Sequence, residues 1–316
     1  MNRFEKKEVK IFVLKAFVFL LPLGLAALFV EIQLGKIPNS YSKKRQDLTE
    51  QASDIEILVA GNSQSMYGIN PQYLSAKSYN LANSSQSLYY DKRLILAHLD
   101  KMPRLRTVVL PISYFSLYFQ LGESKEAWRD FYYDRFWDIA ADYLPLFESK
   151  RYSYTMLYTP KETVRYIAQG FKVDFTEGFR KDGFFESDSL GNGHLRTEQA
   201  GLSRIQEHHA LINEKRFAEI QADLEDFVKT LKAKNIAVIF VLMPVWKTYA
   251  AHSRLDICQR NEQTLADLSY RYGCQFFNSW ADSRFEEQDF RDCDHLNKSG
   301  SEKFTKILND LLLLKK

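Results

Sequence analysis

Two short stretches at opposite ends of the chain carry residues whose types and spacing suit nucleophilic chemistry. The first is Gly61-Asn62-Ser63, directly after the apolar run IEILVA (55–60). A serine just beyond a buried strand and next to a glycine can project its hydroxyl at the carboxyl edge of a sheet, where open α/β sheets place their sites. The second is RDCDHLNKSG, in which Asp292 and His295 stand three residues apart before a C-terminal amphipathic stretch. If this stretch is helical, that spacing puts both side chains on one face. A carboxylate can then hold one imidazole nitrogen and leave the other for a serine. Ser63 needs such a base, because a hydroxyl does not attack at neutral pH unassisted. Asp294 is adjacent to His295, and its spacing directs it elsewhere. Each stretch also has an ordinary reading: a turn for Gly-Asn-Ser, and a helix-start acid beside a surface histidine for Asp292 and His295.

Alternating strands and helices must bring these ends together. IEILVA (55–60), SYNLA (78–82), TVVLPI (107–112), AVIFVLM (237–243) and CQFFN (274–278) read as short buried strands. Ile220, Leu224, Phe227, Val228 and Leu231 repeat at helical spacing, as do Phe304, Ile307, Leu308, Leu311 and Leu312. The pattern predicts an α/β fold with a mostly parallel sheet covered by helices on both sides. Residues 115–213 are rich in aromatics and hold no clean strand run. They read as a largely helical insertion, either a second core, a substrate-binding lid, or both.

The N-terminus is of another kind. Residues 11–30 are apolar except for Lys15, and Arg3, Lys6, Lys7 and Lys10 precede them. A helix of that length crosses roughly 30 Å, the thickness of a bilayer core. A basic leader (1–10) before one apolar span (11–30) predicts an uncleaved membrane anchor, with a cleavable signal peptide or a buried core helix as the alternatives. Lys36, Lys43, Lys44 and Arg45 follow the span, so charge bias says little about orientation. Residues 31–53 read as a polar stalk, and 54–316 as the soluble domain. A net charge of +3 argues against nucleic acid as a partner. Three cysteines without a CxxC pair exclude a disulfide miniprotein and suggest no zinc site.

Taken together, Gly61-Asn62-Ser63 and Asp292-Cys293-Asp294-His295 resemble the SGNH (GDSL-like) hydrolase and acyltransferase superfamily. There a GDS-type motif after the first strand supplies the nucleophile, and a D-x-x-H motif near the C-terminus supplies the acid and base. The resemblance covers roughly 54–112 and 235–312. It implies a flavodoxin-like three-layer sandwich, no metal or organic cofactor, and a catalytic set of Ser63, Asp292 and His295. With the anchor, the chain looks most like the membrane-anchored members related to D-alanyl transfer and polysaccharide O-acetylation. Their partners are a multi-span membrane acyltransferase and an envelope glycan or acylated polymer, with the catalytic domain outside the cytoplasm at the cell membrane. Asn62 stands where the family has Asp. The oxyanion donors implied are the N–H groups of Ser63 and Ser85, with Ser113 or Tyr114 where the family's Asn would be. These departures leave two readings open, a serine acyltransferase or esterase, and a non-catalytic accessory factor of the same fold.

Other polar residues carry less. His208 and His209 read as solvated; His194 in LGNGHL could line a site, although ordinary turn placement is favoured; His98 and His252 belong to no motif. Lys247 and Tyr249 follow the strongest strand and read as loop packing, with contact to an acyl or sugar group as the alternative. Cys258 and Cys274 flank one helix and could pair if the domain is exported, whereas Cys293 reads as buried.

Overall fold

The computed structural model describes residues 3–186 and 196–313. The chain divides into two compact units, 1–39 with 140–176, and 40–139 with 177–316. Its helices begin with α1 (Arg3–Gly35), α2 (Ser40–Gln51), α3 (Ser63–Gly68), α4 (Leu88–His98) and α5 (Asp130–Trp137). The short α6 (Tyr154–Leu157) and α7 (Pro160–Ala168) follow, then α8 (Glu198–His209) and α9 (Phe217–Ala233). The last are α10 (Lys247–Ala251), α11 (Leu255–Tyr272) and α12 (Lys298–Leu313). The strands are β1 (Ile57–Val59), β2 (Ser78–Asn80), β3 (Thr107–Pro111), β4 (Ala237–Leu242) and β5 (Gln275–Asn278), each inside a run expected to be a strand.

All neighbouring strands are parallel, in the order β2-β1-β3-β4-β5. Ile57 registers with Ser78 on one side and Thr107 on the other. Parallel neighbours require a crossover, and helices supply it. The β-branched runs suit strands covered on both faces. Ile57, Val59, Val109, Ile239 and Val241 pack into one core with Ile69, Phe304 and Leu308. Successive side chains alternate across a strand, so Leu58, Val108, Val238 and Phe240 face the other layer. There α9 packs on β4, burying Ile220, Leu224, Phe227, Val228 and Leu231. The chain leaves β1 outward to β2 and then returns to β3 on the opposite side. That reversal opens a crevice beyond the carboxyl ends of β1 and β3, immediately before Ser63 and Ser113.

Two expectations change. The polar segment read as a stalk is, from Ser40, a helix with Tyr41, Lys44, Asp47 and Leu48 buried. It is no linker because Lys44 finds partners inside: its Nζ donates to the carbonyls of Asn80 at 2.8 Å and Gly183 at 2.7 Å. The middle of the chain does not form one insertion. Residues 140–176 group with the N-terminal helix, while 115–139, 177–186 and 196–213 belong with the sheet.

In the first unit, α1 carries one stretch, Lys7–Gly35, long and apolar enough to cross a membrane, with none of its most apolar window buried. The Glu31 carboxylate accepts hydrogen bonds from Ser153 Oγ (2.9 Å), Thr155 Oγ1 (2.8 Å) and the N–H groups of Tyr154 (2.5 Å) and Thr155 (3.0 Å). It thereby satisfies donors at the start of α6 that the helix itself cannot.

Candidate active site

Ser63 opens α3 directly after the turn that ends β1. Asn62 caps that helix, its Oδ1 accepting from the Gln64 N–H at 3.1 Å. Gly61 sits at φ +106, and a Cβ there would lie 2.5 Å from Ser65 Oγ, so this turn needs a glycine. Its N–H donates to the buried carboxylate of Asp91 at 2.8 Å, and Gln86 Nε2 donates to the same oxygen at 2.6 Å. Burial raises the Asp91 carboxyl to about 7 against the pull of those two bonds. Asp91 on α4 therefore ties down the turn from beneath.

Asp292 and His295 come together by a route other than the helical turn expected. They lie in a bend before α12. Asp292 Oδ1 accepts from the N–H groups of Asp294 (3.1 Å) and His295 (2.8 Å), so the carboxylate folds its own loop. The Arg291 N–H to His295 carbonyl bond at 3.0 Å and a bridge between Phe290 and Leu296 close the base of the bend. The same carboxylate meets His295 Nδ1 at 2.9 and 3.0 Å. His295 Nε2 lies 2.8 Å from Ser63 Oγ. With Nδ1–H donated to Asp292, Nε2 is free to accept the serine proton. Serine, imidazole and carboxylate thus form one hydrogen-bonded chain across 232 residues of sequence separation.

Buried amides join the two loops. Gln64 Nε2 donates to the Asp294 carbonyl at 3.1 Å, and Gln64 Oε1 accepts from Ser113 Oγ at 2.7 Å. Ser113 Oγ in turn accepts from Asn62 Nδ2 at 2.7 Å. The residue after Ser63 thus holds the histidine loop in place, and nothing in the sequence pattern pointed to Gln64.

Asp294 differs from expectation. Its spacing was read as directing it away, yet its carboxylate lies 3.5 Å from His295 Nδ1. It is almost fully buried, and Arg204 on α8 clamps it through Nε at 2.9 Å and Nη2 at 3.3 Å. Burial opposes its charge, but His295, Arg204 and His208 outweigh that and hold the carboxyl well below the usual range. Burial also pulls His295 down; the carboxylates of Asp294 and Asp292 outweigh it, and the net direction is up.

His208 is not solvated. It is buried, and its Nδ1 pairs with the Tyr249 hydroxyl at 2.5 Å. Burial lowers its pKa to about 3 although Asp294 pulls the other way, so the ring is neutral at ordinary pH. His209 is half-buried with Nε2 3.0 Å from the Tyr114 hydroxyl. The periodicity of α8 could have flagged His208, since Ile205 and His208 share its buried stripe. His194 lies outside the described residues.

A cleft of about 330 Å³ surrounds Ser63 and His295. Its walls include Ser85, Phe115, Phe119, Lys125, Arg129 and Arg204, so residues from the aromatic middle line it. Among the described residues, neither the Ser63 nor the Ser85 N–H has a protein partner. Ser85 holds a left-handed conformation at φ 55. Ser113 does not line the cleft. Its hydroxyl serves Asn62 and Gln64, and its N–H donates to Ser116 Oγ at 2.9 Å. Tyr114 is turned away too, its hydroxyl accepting from the Arg254 N–H at 3.0 Å. The third oxyanion donor expected from that stretch is therefore absent. Asn62 does line the cleft, and its Nδ2 spends only one of two protons on Ser113. A larger cleft of about 590 Å³ lies between Trp246, Lys247 and the 281–287 loop, and none of Ser63, Asp292 and His295 touches it. Tyr249 is buried away from both clefts. Cys258 and Cys274 are free thiols: one lies in the first turn of α11 and the other just beyond its end. Cys293 is buried, and its thiol is raised to about 11, mainly by burial.

The donor atoms of Asp292, Asp294 and His295 lie within 4.8 Å of one another, a spacing that could hold a metal ion. Those atoms already have partners: Asp292 and Ser63 take both nitrogens of His295, and the Arg204 guanidinium sits on Asp294. A fixed cation at that carboxylate fits an imidazole-positioning role better than a metal site.

No protein-family model and no curated protein matches the sequence. Among solved structures, the chain is similar to a candidate platelet activating factor from Streptococcus pneumonia, at 14% identity and a TM-score of 0.42, over 93% of this chain and 98% of that one. It is also similar to a candidate acylhydrolase from Bacteroides fragilis, at 10% identity and a TM-score of 0.39, over 85% and 95%. Likeness of that degree carries no argument about chemistry, which rests on the side chains themselves.

Proposed function

We propose that the protein is a membrane-anchored serine acyl-transfer enzyme of SGNH type. The single observation behind this reading is the continuous bond chain from Ser63 Oγ through His295 to Asp292. In this mechanism His295 Nε2 takes the Ser63 proton as Oγ attacks an ester carbonyl. The N–H groups of Ser63 and Ser85, with the second Asn62 amide proton, receive the oxyanion. His295 then protonates the departing alcohol, leaving an acyl-Ser63 ester. It next deprotonates the acceptor hydroxyl that attacks that ester and frees Ser63. Asp292 keeps Nδ1 protonated and stabilises the imidazolium, and Asp294 with Arg204 adds a second fixed charge behind it. A sugar hydroxyl as acceptor makes the protein a transferase on cell-envelope polysaccharide, and water makes it an esterase. The anchor favours the former, since a tethered enzyme meets a membrane-delivered donor, such as one supplied by a multi-span acyltransferase.

Mass spectrometry after brief exposure to an activated acetyl ester tests this. An acetyl adduct on Ser63 that is lost in Ser63→Ala and His295→Ala is the expected result. No adduct on the wild type, with full glycan acetylation in cells carrying Ser63→Ala, would falsify it. That outcome supports a second reading, a non-catalytic accessory to a membrane acyltransferase, which the engagement of Ser113 favours. A C-terminal alkaline phosphatase fusion reports the side of the membrane; high activity is expected.

A further inference from the structure

We propose that residues 143–171 form an interfacial foot seated in the headgroup layer of the bilayer that α1 crosses, with the lipid surface as its binding partner. This rests on the anchored reading of α1. The apolar run 11–30 matches the hydrocarbon core, so the membrane boundary falls near Val30.

The foot is docked on α1 at that level. Phe171 meets Phe29 edge-on at 6.1 Å, Glu31 holds the start of α6, and a Cβ on Gly35 would lie 2.5 Å from the Tyr154 ring. From Phe29 to Gly35 is about 9 Å along a helix axis. That is close to the headgroup layer, roughly 5–8 Å on each side of the core. Both partners belong to one compact unit, so this level is a property of the unit alone.

What the foot presents at that level suits lipid. Phe147 is 96% exposed and Val164 66%, with Leu146, Tyr152, Met156 and Ile167 also exposed. On α7, Thr163 and Tyr166 turn inward while Val164 and Ile167 turn outward. A helix resting in water would reverse that pattern. It is nonetheless held as a helix, because Thr159 and Glu162 close a reciprocal cap at its start. Exposed apolar and tyrosine side chains beside Lys161 and Arg165 match the composition of interfacial segments.

Depth-dependent quenching tests the assignment. Full-length protein with Cys258→Ser and Cys274→Ser, the buried Cys293 retained, receives one cysteine by Phe147→Cys, Val164→Cys or Phe19→Cys. Each carries an NBD label in phosphatidylcholine nanodiscs with a quencher at the headgroup or at mid-chain. Labels at 147 and 164 should emit to the blue of the aqueous dye and be quenched most from the headgroup. The label at 19 should be quenched most from mid-chain. Aqueous emission at 147 and 164 with normal quenching at 19 overturns the foot and leaves the anchor standing. Blue emission at 147 and 164 without lipid quenching means that protein covers the patch, and overturns it as well. Loss of quenching at 19 removes the anchor and the foot together.

Discussion

Helices α1 and α2 follow one another in sequence and invert the usual rule of burial. The most apolar window of α1 has no buried side chain, whereas the polar α2 buries a lysine. The difference lies in what surrounds each. An apolar helix whose most apolar window is unburied is of a kind that could cross a bilayer. A buried ammonium calls for fixed acceptors, and Lys44 finds two carbonyls. Even so burial, against the attraction of Asp182 and Asp47, lowers its pKa to about 7. One unit of the protein turns apolar groups outward and the other turns polar groups inward. The second therefore carries the buried charges from which a site can be made.

The sharpest way to separate the units is to remove the proposed nucleophile. Ser63→Ala should lower ester turnover by about a thousandfold or more, and the double change with His295→Ala should be no worse. Membrane fractionation of each variant should be unchanged; release into the soluble fraction would break the division. Next in size is Lys44→Ala, which strands two buried carbonyls and should cost about 2–4 kcal/mol in urea unfolding. Lys161→Ala on the exposed face of α7 should stay within about 0.5 kcal/mol. Equal losses would remove the contrast between the helices.

Smaller effects are read from pH. Asp91 titrates near 7 in the fold and near 3.9 in an unfolded chain, so the folded state binds more protons between those values. Its contribution to stability is fullest below about 4 and is lost as pH rises toward 7. His208, depressed to about 3 by burial, acts in the opposite sense: stability is lost as pH falls through the usual histidine range. The two overlap, so the measurement is a difference. The stability of Asp91→Asn relative to wild type should rise from pH 4 to 7; a flat difference would refute the burial argument. A shift in the rate profile is also expected from Asp294→Asn. In the proposed mechanism His295 acts as a base only when neutral, and Asp294 favours its charged form. Removing that charge should move the acid limb of the pH–rate profile to lower pH. An unmoved limb would show that the carboxylate does not act through His295.

Strand positions, the apolar span and the residues of the Ser63, His295 and Asp292 hydrogen-bonded chain were legible in the sequence because each is written locally. An apolar run between turn residues is a strand wherever it packs, and a D-x-x-H spacing survives the change from an expected helical turn to an actual bend. The periodicity of α8 hinted at the burial of His208 but not at its partner, and Arg204, Gln64 and Lys44 were not legible at all. Each looks like a surface residue until a distant segment supplies its partner: Tyr249, Asp294, Ser113 and the Gly183 carbonyl lie 41, 90, 49 and 139 residues away. The same holds for Ser113, which had the right place in the chain for an oxyanion donor but spends its hydroxyl and N–H on neighbours. Periodicity and composition settle which segments are strands, helices or bilayer-length spans, because backbone geometry and apolar burial depend on nearby residues. Which polar group is buried, charged or left available is a matter of desolvation and partner geometry, and only the packed chain defines those.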